Sequence, residues 1–163
     1  MHLSIMAAIS ENRVLGKDGQ LVWHLPADQH YLERAVRGRT AIMGRVSYEG
    51  FRASYHETRC LVISSQPHLP LAPGDQRVAS FQEALRLAKS AEGEVFVLGG
   101  AQVYAEALPL ANTLYLTRVH HVFEGDTFFP DVDFTQWKLV DQQDHPADAQ
   151  HAYAFSFLRY ERA

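Results

Sequence analysis

The sequence predicts an α/β fold built on a mostly parallel sheet, and three observations carry that reading. Short apolar runs alternate with amphipathic segments as far as Leu98, the pattern of strands joined by crossover helices. After residue 113 three strand-like segments follow with no strong helix between the last two, so the sheet finishes with an antiparallel C-terminal strand at its edge. At 163 residues the chain fits a single domain, 1–163, whose core needs no disulfide or metal.

Residues 3–9 are apolar apart from Ser4 and end at the polar turn Ser10-Glu11-Asn12-Arg13, which marks a buried first strand. The loop from there to Trp23 carries Gly16 and Gly19 among Val14, Leu15, Leu21 and Val22. That mixture suits a flap over a ligand, and the alternative is an ordinary surface connection. Pro26 is favoured at a first helical position, so a helix starts there, and Gly38 ends it. Residues 40–43 form a second strand running into Gly44-Arg45 and a short helix near 47–51. A third strand over 59–63 closes at Ser64-Ser65-Gln66-Pro67. Ser80 with Glu83 forms a capping box opening a helix that carries Ala84, Leu85, Leu87 and Ala88. Residues 94–98 are a buried strand ending in Gly99-Gly100, before a helix through Tyr104 to Leu108. The last strands lie at 113–119, 137–143 and 152–160.

Composition narrows the function. The 19 acidic residues against 15 Lys and Arg leave a net charge of −4, with no basic run to suit nucleic acid or a membrane surface. The lone Cys60 excludes an internal disulfide and reads as a small buried residue. No apolar run approaches the roughly 20 residues needed to span a bilayer, and no leader precedes the first strand, so the cytoplasm is the expected compartment. Nine histidines, among them His120, His121, His145 and His151, show no metal-binding spacing and read as solvated or edge-strand residues.

The most informative position is Asp28. In a helix starting at Pro26 it is the third residue, on the stripe that carries Leu32, Ala35 and Val36. One reading makes it a complement to the helix dipole. The other rests on the cost of a charge on a core-facing stripe, which a ligand bearing N–H donors would offset. Gly44-Arg45 and Gly99-Gly100 each join a strand to a helix start, where free N–H groups favour phosphate. Arg45 with Ser64 and Ser65 would suit a further phosphate, or else is a solvated charge beside a capped loop. Neither GxGxxG nor GxxxxGK[ST] occurs, which argues against an ordinary dinucleotide fold and a nucleotide hydrolase.

Along nearly its whole length the chain resembles dihydrofolate reductases. The resemblance rests on Ala7-Ala8-Ile9, Asn12-Arg13-Val14-Leu15-Gly16, Trp23-His24-Leu25-Pro26-Ala27-Asp28, Ile42-Met43-Gly44-Arg45, Ser64-Ser65-Gln66-Pro67, Gly99-Gly100-Ala101-Gln102-Val103-Tyr104, Leu114-Tyr115-Leu116-Thr117 and Glu124-Gly125-Asp126-Thr127-Phe128-Phe129-Pro130. It implies an eight-stranded, mostly parallel sheet flanked by four helices, NADPH as hydride donor and 7,8-dihydrofolate as substrate. It implies that Asp28 accepts from the pterin's 2-amino group and ring N–H, with Thr117 in the same network. Trp23 and Leu21 would belong to the flap, Asp126 would fix that flap, and the carbonyls of Met6 and Leu98 would line the pocket. Tyr104 would stand beside nicotinamide and pterin, with Leu32 and Phe51 as apolar walls. Ala8, Leu15 and Gly16 would meet the nicotinamide. Arg45 and Ser65 would hold the 2′-phosphate with Val46 and Ser64 alongside, and Ser47, Gly44 and the turn of Gly99, Gly100, Ala101, Gln102 and Val103 would hold the diphosphate. Antifolate inhibitors would bind the same pocket, and a monomer is the family's common form.

The chain departs from the family pattern where members carry an arginine for the folate's glutamate tail. Thr58 stands at that position, and Arg59 or Arg52 is the expected substitute. Gln29 and Leu32 replace commoner apolar and aromatic residues, so Gln29 would make the pocket wetter. Two other readings compete: a fold-related NADPH-dependent pyrimidine reductase of riboflavin synthesis, and a non-catalytic nucleotide-binding module.

Overall fold

The first apolar run becomes a central strand. β1 (His2–Ser10) directs Leu3, Ile5, Ala7 and Ile9 into one core cluster and Met6 and Ala8 toward the opposite face, the alternation of a strand covered on both sides. The structure is a computed structural model that describes residues 1–52, Tyr55 and 57–163, and of Phe51 the backbone alone. Along the chain follow β2 (Val14–Gly16), α1 (Pro26–Val36), β3 (Thr40–Gly44), α2 (Arg45–Phe51), β4 (Arg59–Ile63), β5 (Gln76–Val78) and α3 (Phe81–Ala88). Then come β6 (Glu94–Val97), α4 (Ala101–Ala107), β7 (Thr113–Val119), β8 (Thr127–Phe128), β9 (Trp137–His145) and β10 (Phe155–Arg162).

Eight strands form one sheet in the order β5-β4-β3-β6-β1-β7-β10-β9. Neighbours pair parallel from β5 through β7, and β10 pairs antiparallel with both β7 and β9. The mostly parallel α/β sheet with four helices is therefore as expected. The antiparallel strand, however, lies one place in from the edge. β9 and β10 form a hairpin whose second strand docks on β7, leaving β9 as the edge, running with the parallel strands. Its Lys138, Asp141, Gln142, Gln143 and Asp144 are exposed polar residues of the kind that discourage edge-to-edge pairing.

The helices divide between the faces. Val36 of α1 and Tyr48 of α2 pack with Met6, Met43 and Phe96, whereas Phe81 and Ala84 of α3 and Val103 and Ala107 of α4 pack with Leu3, Ile5 and Val97. The connection leaving β6 thus crosses one face while those leaving its neighbours β1 and β3 cross the other. Such a switch opens a crevice beyond the strands' carboxyl ends.

Three local details refine the sequence reading. The segment Gln76-Arg77-Val78, with one apolar residue in three, forms the outermost strand β5. Part of the 10–23 loop is also strand, because β2 pairs with β8 in a separate two-stranded sheet. Ser80 caps α3 by accepting from the Glu83 N–H at 3.1 Å, but the Glu83 carboxylate accepts from the Ala79 N–H at 2.9 Å, one residue earlier than a capping box predicts.

Candidate active site

A cleft of about 1020 Å³ opens at the carboxyl ends of the parallel strands. Its deep wall is built by Met6 and Ala8 of β1, Leu98 after β6, Thr117 of β7 and Asp28 and Leu32 of α1. Pro26 starts α1, which places Asp28 in the first turn against the sheet. The parallel register sets Ala8 beside Thr117, and the Thr117 hydroxyl donates to Asp28 Oδ1 at 2.6 Å. Burial pushes the Asp28 carboxyl up to about 6, against which the Thr117 hydrogen bond acts as the smaller, lowering influence. Among the described residues no cation pairs with Asp28, so its charge faces the cleft unneutralised.

Tyr104 closes the floor. Its hydroxyl donates to the Met6 carbonyl at 2.8 Å, and burial holds the phenol well above its ordinary range, so it is a fixed neutral ring. Gly99 adopts φ +102°, and a Cβ there would come within 3.0 Å of the Tyr104 ring, so this position needs glycine.

The other end of the cleft is a row of strand-to-helix turns. Gly44 and Gly100 are the N-caps of α2 and α4, neither helix has a side-chain cap, and the Gly44 N–H donates to the Gly99 carbonyl at 2.7 Å. Among the described residues a Cβ on Gly100 would meet no atom within 4 Å, so the space in front of this turn belongs to the cleft. Arg45, Val46 and Ser47 line the cleft from α2, with Ser64 and Ser65 opposite. Arg45 Nη1 also donates to Glu49 Oε2 at 2.9 Å. Ser64 is already engaged: its hydroxyl accepts from the Gln66 N–H at 3.0 Å, and its carbonyl accepts from Arg77 at 2.6 Å. An open row of backbone donors with one arginine and an exposed serine fits a phosphorylated dinucleotide.

The family comparison decides what the cleft belongs to. A family model described as Dihydrofolate reductase matches residues 2–162. The chain belongs to the dihydrofolate reductase family. It is 38% identical over 160 residues to a dihydrofolate reductase of Bacillus subtilis, covering 98% of this chain and 94% of that one. It is 37% identical over 162 residues to the type 3 dihydrofolate reductase of Salmonella typhimurium, covering 99% of both. A solved dihydrofolate reductase of Enterococcus faecalis, complexed with NADP(H) and RAB-propyl, superimposes with a TM-score of 0.89 at 33% identity, covering 99% of this chain and 96% of that one. The chain is thus an NADPH-dependent oxidoreductase whose reaction is the reduction of 7,8-dihydrofolate to tetrahydrofolate. The pyrimidine reductase reading is not favoured, and a non-catalytic module is not what these relatives are.

Of the positions expected to meet pterin and cofactor, the cleft brings together Met6, Ala8, Leu15, Gly16, Leu21, Asp28, Leu32, Gly44, Arg45, Val46, Ser47, Ser64, Ser65, Leu98, Gly100, Ala101, Gln102, Val103, Tyr104 and Thr117. Asp126 joins them from the turn before β8, where its carboxylate accepts from the N–H of Asp18 in the flap at 3.0 Å. Trp23 stands behind the cleft: its indole is buried, lies 5.4 Å from the Phe123 ring and packs in a cluster with Ala8 and Leu25. Gln29 lies on the exposed side of α1 and does not line the cleft, because it is one position round the helix from Asp28. Arg59 is exposed at the start of β4 and also lies off the cleft. Thr58 is buried and donates to the Val36 carbonyl at 2.9 Å. The Phe51 side chain lies outside the described residues.

Tyr55, Ile63, Gln66 and Phe81 line the cleft without having been expected there. Tyr55 comes from the segment that departs from the family pattern, and Phe81 starts a helix on the far face, so neither sits in a motif. His151, expected to be solvated or on an edge strand, is buried in the turn between β9 and β10, against the start of α1.

Proposed function

We propose that Asp28 anchors the pterin and that the glycine turns with Arg45 hold the cofactor. The observation that carries this is the carboxyl at the closed end of the cleft, raised to about 6 and facing space that no cation among the described residues fills. A pterin's 2-amino group and ring N–H match a carboxylate in bidentate fashion. NADPH, when bound, supplies the hydride. Overall, hydride adds to pterin C6 and a proton adds to N5, so the reacting complex must carry one proton more than its neutral parts. Asp28 favours that state in two ways. As a carboxylate it stabilises positive charge on the ring, and as a group that titrates near 6 it keeps a proton within the hydrogen-bonded unit close to neutral pH. Thr117 fixes the carboxylate's orientation through its 2.6 Å bond. Tyr104 and Leu98 shape the floor on which the nicotinamide and pterin would be held, and Leu21 with Leu15 would exclude water from that end of the cleft.

Arg45 and Ser65 would take the 2′-phosphate, which gives the preference for NADPH over NADH. Ser47 and the Gly100, Ala101 and Gln102 turn would take the diphosphate. Antifolate inhibitors with a protonated diaminopyrimidine-like face would meet Asp28 in the same way. We also infer one domain over 1–163, acting as a monomer in the cytoplasm, which sedimentation and cell fractionation test. The functional test is NADPH oxidation with dihydrofolate. Asp28→Asn should lose kcat/KM by about 10² or more near neutral pH, and an undiminished value would refute the assignment.

A further inference from the structure

The helix that presents Asp28 lacks an ordinary start. Its N-cap is Leu25, which has no side chain able to accept a hydrogen bond, and its first residue is Pro26, which has no N–H. The Asp28 and Gln29 N–H groups both turn back to the Leu25 carbonyl, at 3.0 and 3.2 Å. That leaves the Ala27 N–H, adjacent in sequence to Asp28, without a partner from its own helix. It donates at 3.1 Å to Nε2 of His151, a residue 124 positions away.

His151 is equipped for this single role. Its side chain is 7% exposed, and its ring packs at 5.1 Å from Phe155. Its other nitrogen, Nδ1, lies 2.8 Å from Asp148 Oδ1. The His151 backbone is locked as well: Asp148 N–H donates to the His151 carbonyl at 2.9 Å, and His151 N–H donates to the Asp148 carbonyl at 3.2 Å. Asp148 also accepts from the Gln150 N–H at 2.8 Å, and its hydrogen bonds hold it below the usual carboxylate range, so it is an acceptor only. Nδ1 must therefore carry the proton. Nε2, facing a backbone N–H, must offer its lone pair. The ring is neutral and has one possible tautomer. A proton on Nε2 would set N–H against N–H.

We propose that His151 is a positioning residue for the reaction: a neutral imidazole, oriented by Asp148, that caps α1 at Ala27 and thereby fixes where the Asp28 carboxylate meets the pterin. The proposal rests on the reading of Asp28 above. Capping from a distant hairpin explains why a surface-looking turn over 148–151 is held by so many short hydrogen bonds. It also ties the C-terminal hairpin, which contributes nothing to the cleft lining, to the substrate end of the site.

The test is a double-mutant cycle in the NADPH-loaded enzyme, with His151→Leu, His151→Gln and each combined with Asp28→Asn. His151→Leu removes the acceptor and should lower kcat/KM for dihydrofolate by about tenfold, while NADPH affinity, set by other helices, holds within about twofold. His151→Gln returns an oxygen near the Nε2 position and should recover most of that loss. In the Asp28→Asn background, His151→Leu should cost no more than about twofold further, because the group it positions is gone. Equal losses in both backgrounds, a Gln variant as poor as Leu, or a Leu variant equal to wild type would each overturn the proposal. If the Leu variant does not fold, ring ¹⁵N resonances of the wild-type holoenzyme near pH 7 decide. Protonated Nδ1 with bare Nε2 supports the cap, and a proton on Nε2 overturns it. A fully active Asp28→Asn enzyme would remove the Asp28 reading and this proposal together. An inactive Asp28→Asn beside an unaffected His151→Leu would remove this proposal alone.

Discussion

Asp28→Asn should make the ligand-free protein more stable while disabling it. The substitution deletes the charge and keeps an oxygen to accept from Thr117, so the 2.6 Å contact survives. Burial raises the Asp28 carboxyl from 3.8 to about 6, which means that the folded chain binds this proton more tightly than the unfolded chain does. Ionising it therefore costs stability. The cost is absent below the unfolded value of 3.8, grows as pH rises, and is complete above about 6. At 1.36 kcal/mol per pH unit of displacement it amounts to about 3 kcal/mol. An Asn amide that finds only part of its hydrogen bonding would return some of this, leaving a gain of about 1–3 kcal/mol. For a chain of this size that is a rise in Tm of roughly 3–10 °C. Thermal unfolding followed by circular dichroism, without ligands, should show the gap at pH 7.5 and its near disappearance toward pH 4. An unchanged or lower Tm for the variant at pH 7.5, or a gap independent of pH, would refute the reasoning.

The remaining expectations concern the cofactor end, the tail and the scaffold. Gly100→Ala should leave Tm unchanged within about 1 °C, since its Cβ meets no atom of the described residues within 4 Å, yet it should raise the KM for NADPH by filling the space before the turn. Arg45→Ala should raise the KM for NADPH by about 10- to 100-fold with little change for NADH, the loss expected for charge-assisted hydrogen bonds; equal effects on both cofactors would move the 2′-phosphate elsewhere. Arg59→Ala should alter the KM for dihydrofolate by less than about twofold, because Arg59 is exposed and off the cleft. A larger rise would show that the residue turns inward when substrate binds. Ser80→Ala removes the acceptor that caps α3 and should cost about 1 kcal/mol in urea unfolding without changing kcat.

The parts of this protein that were legible in its sequence are those governed by local rules. Pro26 fixed the start of α1, and the helical period then placed Asp28 on the inner face beside Leu32 and Val36. The glycine turns at 44 and 99–100 were visible because glycine at a strand-to-helix junction lets a ligand approach the backbone closely, and of the three only Gly99 has a positive φ. What escaped were features created by distant pairings. β2 and β8 are strands only because residues 14–16 meet 127–128, and β5 exists because a weakly apolar segment docks beside β4. The position of β10 inside the sheet follows from its choice of β7 as partner, which periodicity does not encode. His151 escaped for the same reason: its cap is made to a backbone group 124 residues away, and nothing near it in sequence signals burial. Gln29 is expected in the pocket because the resemblance places it there, whereas one step along the helix from Asp28 rotates a side chain by about 100° and leaves it exposed.

Hydride transfer measured in a single turnover across pH tests the central claim most directly. With NADPH and dihydrofolate bound to the wild-type enzyme, the rate should decline as pH rises above the region near 6 in which the Asp28 unit loses its proton. Asp28→Asn should be slower by about 10² or more at neutral pH and should lack that titration. A variant that transfers hydride at the wild-type rate, with the wild-type pH profile, would show that Asp28 neither anchors the pterin nor governs its protonation.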